Sequence, residues 1–303
     1  MKRTLFFGQP AYLSITAKQL EINYPANSNL PKKTVPIEDI GILVLEHPQI
    51  TLTNGVILQI TANNGIIIGC NEQHLPASLM LPYEGHSELS KRYQQQITAS
   101  LPLQKNLWKQ LIEAKIYNQA QLLAQENKNN KRLIHLLANV MAGDSSNCEA
   151  QAAIHYWDKI FDIPFFERDR YGLPPNHLLN YGYSILRAVT ARALVASGLL
   201  PALGIFHRNK YNAYCLADDM MEPYRPFVDQ IVLQIIETDG LEEQLSLSAK
   251  QKLLQICTQD VLLDGKESPL MVAMSRTTNS LQQCYEGNVR KLLLPTLSNA
   301  TAI

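Results

Sequence analysis

The run Thr4-Leu5-Phe6-Phe7-Gly8-Gln9-Pro10-Ala11-Tyr12-Leu13-Ser14-Ile15-Thr16-Ala17-Lys18-Gln19-Leu20-Glu21-Ile22-Asn23-Tyr24 decides how the chain begins. It holds short runs rich in aromatic and branched side chains, two of them alternating, broken by Gly8-Gln9-Pro10 and by Ala17-Lys18. That pattern predicts three strands, at Thr4–Phe7, Ala11–Ile15 and Gln19–Tyr24. Two more runs follow the same rule, Thr34-Val35-Pro36-Ile37 and Ile42-Leu43-Val44-Leu45. A short helix is expected over about Thr53–Asn63, with Val56, Ile57, Ile60 and Thr61 on one face, before Ile66-Ile67-Ile68 returns to a buried strand. Pro76, Pro82 and Gly85 then read as a linker.

From about Glu88 the apolar spacing becomes helical and stays so to the end. The expected helices are Ser87–Ser100, Leu103–Glu126, Lys131–Met141, Ser146–Phe161, His177–Ser197, Asn212–Ile236, Ser248–Asp260 and Ser268–Tyr285. Gly143-Asp144, Gly172-Leu173-Pro174-Pro175, Gly198 to Pro201, Asp264-Gly265 and Gly287 punctuate them. The expectation is an α+β protein: a small N-terminal β-rich domain over residues 1–85, then a larger all-α domain over 86–303.

Composition narrows the function classes. The chain has 303 residues, 46% of them hydrophobic, and no low-complexity tract, so it reads as folded throughout. Its 27 basic and 27 acidic side chains cancel, so any nucleic-acid reading must rest on local clustering. Five cysteines stand singly, without the paired spacing of a zinc knuckle or disulfide framework. The opening residues lack a signal peptide's apolar core, and the longest apolar stretch, Ala193–Phe206, is interrupted and shorter than the roughly 20 residues of a membrane span. A cytoplasmic protein without a membrane partner is expected.

Three segments carry chemistry. Glu149 sits in the first turn of a helix, where Ser146-x-x-Glu149 also has the spacing of a capping box. His207 ends the apolar run Leu203-Gly204-Ile205-Phe206, where a core meets a surface. Asp218-Asp219-Met220-Met221-Glu222-Pro223 gathers three carboxylates. On a regular helix Asp219 and Glu222 share a face, and Asp218 is turned about 100° away. Carboxylates brought together require a cation or a shared proton, and carboxylate with imidazole suits Mg²⁺ or Mn²⁺. A solvated acidic face is the other reading.

Between Arg170 and Lys210 the basic residues Arg170, Arg187, Arg192, Arg208 and Lys210 occur with no acidic residue among them. Guanidinium forks suit phosphate oxygens, and with the Lys210 ammonium they make these five the candidate contacts for a phosphate-bearing partner. The alternative is that Arg187 and Arg192 only solvate the edge of their helix.

These segments resemble the CRISPR-associated protein 1 family, the endonuclease and spacer integrase of prokaryotic adaptive immunity. The resemblance rests on Asn180-Tyr181-Gly182-Tyr183-Ser184-Ile185-Leu186-Arg187, Gly204-Ile205-Phe206-His207 and Leu216-Ala217-Asp218-Asp219-Met220-Met221-Glu222-Pro223-Tyr224-Arg225-Pro226. The tract Ser275-Arg276-Thr277-Thr278-Asn279-Ser280-Leu281 is similar to the branch found in type II systems. The resemblance implies a β domain used for homodimerisation and a helical catalytic domain. By motif position it implies Glu149, His207 and Glu222 as catalytic metal ligands, with Asp219 as a supporting carboxylate. It implies a reaction in which the 3′-hydroxyl of a short DNA fragment attacks a phosphodiester at the border of a CRISPR repeat. The implied partners are prespacer and repeat DNA, the small companion subunit of the adaptation complex and, in type II systems, the RNA-guided nuclease. Two other classes fit parts of the pattern: a metal hydrolase of small phosphate esters, and a non-catalytic DNA-binding scaffold. The first wants a compact pocket, and the second leaves the carboxylates and His207 without work.

Overall fold

The computed structural model describes residues 2–28, 30–83 and 87–297. The chain falls into two compact units, Met1–Ser87 and Glu88–Ile303. Gly85, and the boundary expected between residues 85 and 86, lie outside the described residues.

The first unit runs β1 Arg3–Phe7, β2 Ala11–Thr16, β3 Gln19–Asn23, β4 Lys33–Pro36, β5 Ile40–Leu45, β6 Ile50–Leu52, α1 Asn54–Ala62, β7 Ile66–Cys70 and β8 Pro76–Met80. These strands form two four-stranded sheets, ordered β1-β5-β7-β8 and β4-β3-β2-β6. The unbroken apolar run of β5 is explained by its place: it lies in the sheet interior, parallel to both β1 and β7. Alternation in β2 and β3 instead puts Leu13, Leu20 and Ile22 into one core with Ile40, Leu43, Val56, Ile60 and Ile67. Pro76 opens a strand where the sequence suggested a linker. β8 is an edge strand pairing antiparallel with β7, and the first residue of an edge strand is where proline's missing N–H costs little.

The second unit carries α2 Leu89–Ile97, α3 Leu101–Gln125, α4 Lys131–Leu137, α5 Cys148–Ile160, α6 Asn176–Ala196, α7 Cys215–Met221, α8 Arg225–Asp239, α9 Leu247–Leu254 and α10 Leu270–Glu286. It is helical but not entirely so, because β9 Asp260–Leu263, β10 Lys266–Pro269 and β11 Pro295–Thr296 form a small antiparallel sheet ordered β10-β9-β11. The cause is local: Asp264 and Gly265 both adopt positive φ, the turn that a two-residue hairpin needs, and Val261-Leu262-Leu263 supplies the strand before it. The helix expected over Ser248–Asp260 therefore ends early, at Leu254.

α3 is the spine of this unit. Ser100 Oγ caps it by accepting from Leu103 N, and Leu107, Leu111, Ile112, Ile116, Leu122 and Leu123 are buried along it. The continuous helix expected over Asn212–Ile236 is broken. α7 stops at Met221, Glu222–Tyr224 tighten into a 3-10 turn, and α8 begins at Arg225. Pro223 and Pro226 remove two amide donors there, which explains the break. The carbonyl of Pro223 instead accepts from Asn118 Nδ2 of α3 at 2.8 Å, so the break is pinned to the spine. Among the described residues no helix is long and apolar enough to cross a membrane.

Candidate active site

Glu149 lies in the first turn of α5, but its side chain does not cap that helix. Asp144 does so, its two oxygens accepting from Cys148 N at 2.8 Å and Glu149 N at 3.0 Å. Ser146 Oγ donates to the carbonyl of Asn139, so the Ser146–Glu149 capping box is not formed. Glu149 is thereby free to face α3, where Lys115 Nζ lies 2.7 Å from its Oε1.

Glu222 reaches the same ammonium from the broken helix, with Oε2 2.6 Å from Lys115 Nζ. The buried Oε2 has that ammonium as its ionic partner. The other oxygen, Oε1, accepts from Arg225 Nε at 2.9 Å. Burial pushes the Glu222 carboxyl upward, but Arg225 and then Lys115 outweigh it and hold it at about 2. Glu222 is a fixed anion at neutral pH.

His207 is half-buried within the loop that joins α6 to α7. Asp219, fully buried, organises that loop: its carboxylate accepts from Ile205 N at 2.6 Å, Phe206 N at 2.9 Å and His207 N at 3.3 Å. The same carboxylate meets His207 Nδ1 at 2.5 Å. A proton on Nδ1 leaves Nε2 as the ring nitrogen able to bind a metal. The Asp219 contact raises the imidazole above its ordinary value, with Glu222 and Glu149 adding to the effect and burial opposing it. Phe206 stacks on buried Trp108 of α3 at 4.3 Å, and His207 stands edge-on to both rings. Gly204 is needed for the wrap, since a Cβ there would lie 2.2 Å from the His207 carbonyl oxygen.

The structure thus brings Glu149 and Glu222 together on one ammonium, with His207 inside their electrostatic reach. Among the described residues no three His, Cys, Asp or Glu side chains stand close enough to form a ready metal cage. The chemistry of the donor set still fits a divalent ion: two carboxylates that already share one cation, and an imidazole presenting one nitrogen. Lys115 Nζ now provides the positive charge shared by the two carboxylates. Asp219 meets His207 Nδ1 and the 205–207 amides, so any effect it has on a bound metal would pass through the imidazole. Asp218, turned away, accepts from Arg187 Nε at 2.6 Å and Nη2 at 2.9 Å and from Asn212 Nδ2 at 2.7 Å.

The five basic residues divide. Arg170, Arg208 and Lys210 are exposed. Arg170 lies over the Tyr171 ring and Lys210 over the Tyr211 ring, and Arg208 donates to Gln104 Oε1. Arg187 is exposed but committed to Asp218, and Arg192 is half-buried. His207, Arg208 and Lys210 share a cleft of about 500 Å³ with Gln96, Gln104 and Tyr285. Lys115 and Arg225 escaped the sequence reading. Lys115 sits among the apolar positions of α3, a lone cation on a buried face, which is the signal that marks it.

A family model described as CRISPR associated protein Cas1 matches residues 5–255. The chain is 34% identical over 297 residues to a protein named CRISPR-associated endonuclease Cas1 of Neisseria meningitidis serogroup C (strain 8013), covering 97% of this chain and 95% of that one. Among solved structures, a casposase bound to integration product superposes with a TM-score of 0.83 at 20% identity, covering 100% of this chain and 96% of that one. A chain of a Cas6-RT-Cas1–Cas2 complex superposes with a TM-score of 0.74 at 17% identity, covering 98% of this chain and 36% of the other. At such identities these two likenesses speak for the fold alone.

Proposed function

The chain belongs to the CRISPR associated protein Cas1 family, and we propose that it is a metal-dependent DNA endonuclease and integrase that inserts short DNA fragments into a CRISPR array. The observation that carries the metal site is the convergence of Glu149 and Glu222, from separate elements, on one cation at 2.7 and 2.6 Å. Glu149, Glu222 and His207 Nε2 would hold Mg²⁺ or Mn²⁺. When bound, the ion supplies Lewis-acid polarisation of a phosphoryl oxygen and stabilises charge on the attacking or leaving oxygen.

The chain's own groups prepare that chemistry. Arg225 takes Oε1 of Glu222 and leaves Oε2 toward the site. Asp219 fixes the imidazole's orientation through Nδ1 and holds the 205–207 backbone around itself. Arg208 and Lys210, beside His207, would take backbone phosphates and give affinity without reading sequence. The 3′-hydroxyl of the fragment is the nucleophile toward a phosphodiester at the repeat border. The proposed partners are prespacer and repeat DNA, a second copy of the chain through the β unit, the small companion subunit and, in a type II system, the RNA-guided nuclease.

The test is nicking and strand transfer on branched DNA with Mn²⁺ and with a chelator. Activity is expected with the metal only, and not on small phosphate esters. Glu149→Gln, His207→Ala and Glu222→Gln should each abolish it while the protein stays folded. Turnover that survives chelation, or survives all three substitutions, overturns the reading.

A further inference from the structure

Lys115 is among the least exposed charged side chains of the described chain, 8% accessible in the middle of the apolar face of α3. A buried ammonium persists only where anions compensate it. Here the compensation comes from the two carboxylates assigned above to the metal, Glu149 Oε1 at 2.7 Å and Glu222 Oε2 at 2.6 Å. The ammonium therefore occupies one oxygen of each carboxylate that a shared divalent ion would approach. A divalent ion at coordination distance from those oxygens would lie only a few ångströms from the ammonium charge, in a poorly solvated site where like charges repel strongly. Both cations cannot keep both carboxylates.

We propose that Lys115 is a built-in counter-cation of the catalytic carboxylate pair: it holds Glu149 and Glu222 together while no metal is bound, and a metal binds only by displacing it from at least one of them. The lysine is then a positioning residue that sets metal affinity low and keeps the site from collapsing or repelling when empty. This rests on the metal-site reading above, and the geometry adds which side chain the metal competes with. Arg225 does not share the role, because it takes the opposite oxygen of Glu222.

The experiment is Mn²⁺ titration of the full chain, reading the electron paramagnetic resonance signal of the free ion, on the wild type, K115M and E222Q. K115M should bind Mn²⁺ about tenfold more tightly, toward the low end of the roughly 5- to 150-fold by which one binding event commonly shifts another. Its metal-free melting temperature should fall below the wild type's, and Mn²⁺ should raise it by more. Unchanged or weaker Mn²⁺ affinity in K115M overturns the proposal. Should K115M not fold, the wild type gives the same answer through amine labelling read by mass spectrometry. Mn²⁺ should raise labelling of Lys115 and leave Lys105 and Lys109 as they were, and unchanged or reduced labelling of Lys115 overturns the proposal. If neither protein binds Mn²⁺ in a way that E222Q abolishes, the metal-site reading fails and this inference with it. If the wild type binds through Glu222 and K115M binds no tighter, only the role given to Lys115 fails.

Discussion

Asp218 and Asp219 are neighbours in sequence with opposite duties, because a helix turns about 100° per residue. Asp219 is buried under four hydrogen bonds from the loop it organises, whereas Asp218 faces Arg187 and Asn212. Asp219→Ala leaves three amides and an imidazole without their acceptor, at about 1–3 kcal/mol for each group left buried and unpaired. It should cost 10- to 100-fold in metal affinity, roughly the loss usual when a ligand's supporting partner is removed. Asp218→Ala should keep wild-type metal affinity and bind DNA more tightly, since it releases a guanidinium. Parallel Mn²⁺ and duplex titrations of the two variants check this, and a metal defect confined to Asp218→Ala would contradict the assignment. A second buried carboxylate, Asp229, carries a pH dependence. It accepts from Tyr183 Oη at 2.5 Å and Tyr156 Oη at 2.8 Å, yet burial outweighs these bonds and pushes it up to about 6. A folded-state value above the ordinary 3.8 means that the folded chain takes this proton more readily than the unfolded one. The associated stability is fully present below about pH 4 and is lost as the pH rises through about 6, a swing of at most about 3 kcal/mol. Asp229→Asn, which cannot ionise, should therefore gain in melting temperature relative to the wild type between pH 4.5 and pH 7.5. A difference that stays flat across that range would place Asp229 at an ordinary carboxylate value.

At the scale of elements, the two tight hairpins make a natural comparison. Asp264-Gly265 and Ala17-Lys18 both adopt positive φ at both central residues, but only the first pair has side chains suited to it. Replacing Ala17-Lys18 by Asn-Gly should stabilise the β unit by about 1 kcal/mol, the rough cost of a left-handed backbone for an ordinary residue. Chemical denaturation would read it as a rise in midpoint at unchanged slope. What sequence disclosed follows the range of the forces involved. Alternation and helical spacing are local, so β1 to β5, α1, β7 and most helices were legible within a few residues. The sheet of β9 to β11 was signalled only by Asp264-Gly265 inside a helical stretch, and β11 pairs with a strand far back in the chain. Pro223 lies inside the stretch expected as one helix, and its effect is a 3-10 turn that carries Glu222 itself. The motifs made Glu149, His207 and Glu222 legible as candidates. Lys115 is marked only as a lone cation on a buried face, since its meeting with two carboxylates from other elements lies outside any window of sequence.

For the molecule as a whole, equal numbers of basic and acidic residues mean that the proposed DNA binding would have to come from a local face rather than from net charge. Lys115, Glu149, His207, Asp219 and Glu222 all lie in the unit Glu88–Ile303, as do the five basic candidates. That unit expressed alone should bind Mn²⁺ as the full chain does, while self-association, assigned to the β unit, should be lost by light scattering. The proposed phosphate contacts admit a sharper test, because the five basic side chains differ in exposure and pairing. Arg170, Arg208 and Lys210 present their charge to solvent, Arg187 shares its charge with Asp218, and Arg192 is half-buried. Each phosphate neutralised on a duplex releases about 0.9 counterion, so three free cations predict a salt slope of roughly 2.7 from these residues. Arg208→Ala should lower the measured slope by about 0.9 and weaken all duplexes alike, since a phosphate contact reads no base. Arg192→Ala should leave the slope where it was. Arg187→Ala should fall between them, because a guanidinium already neutralised by Asp218 has less counterion release to offer. The Asp218→Ala background should restore Arg187 to a full contact, so that the slope lost on adding Arg187→Ala is larger there than in the wild type. If Arg187→Ala costs the same slope in both backgrounds, the Asp218 pair does not govern the charge that DNA meets at this face.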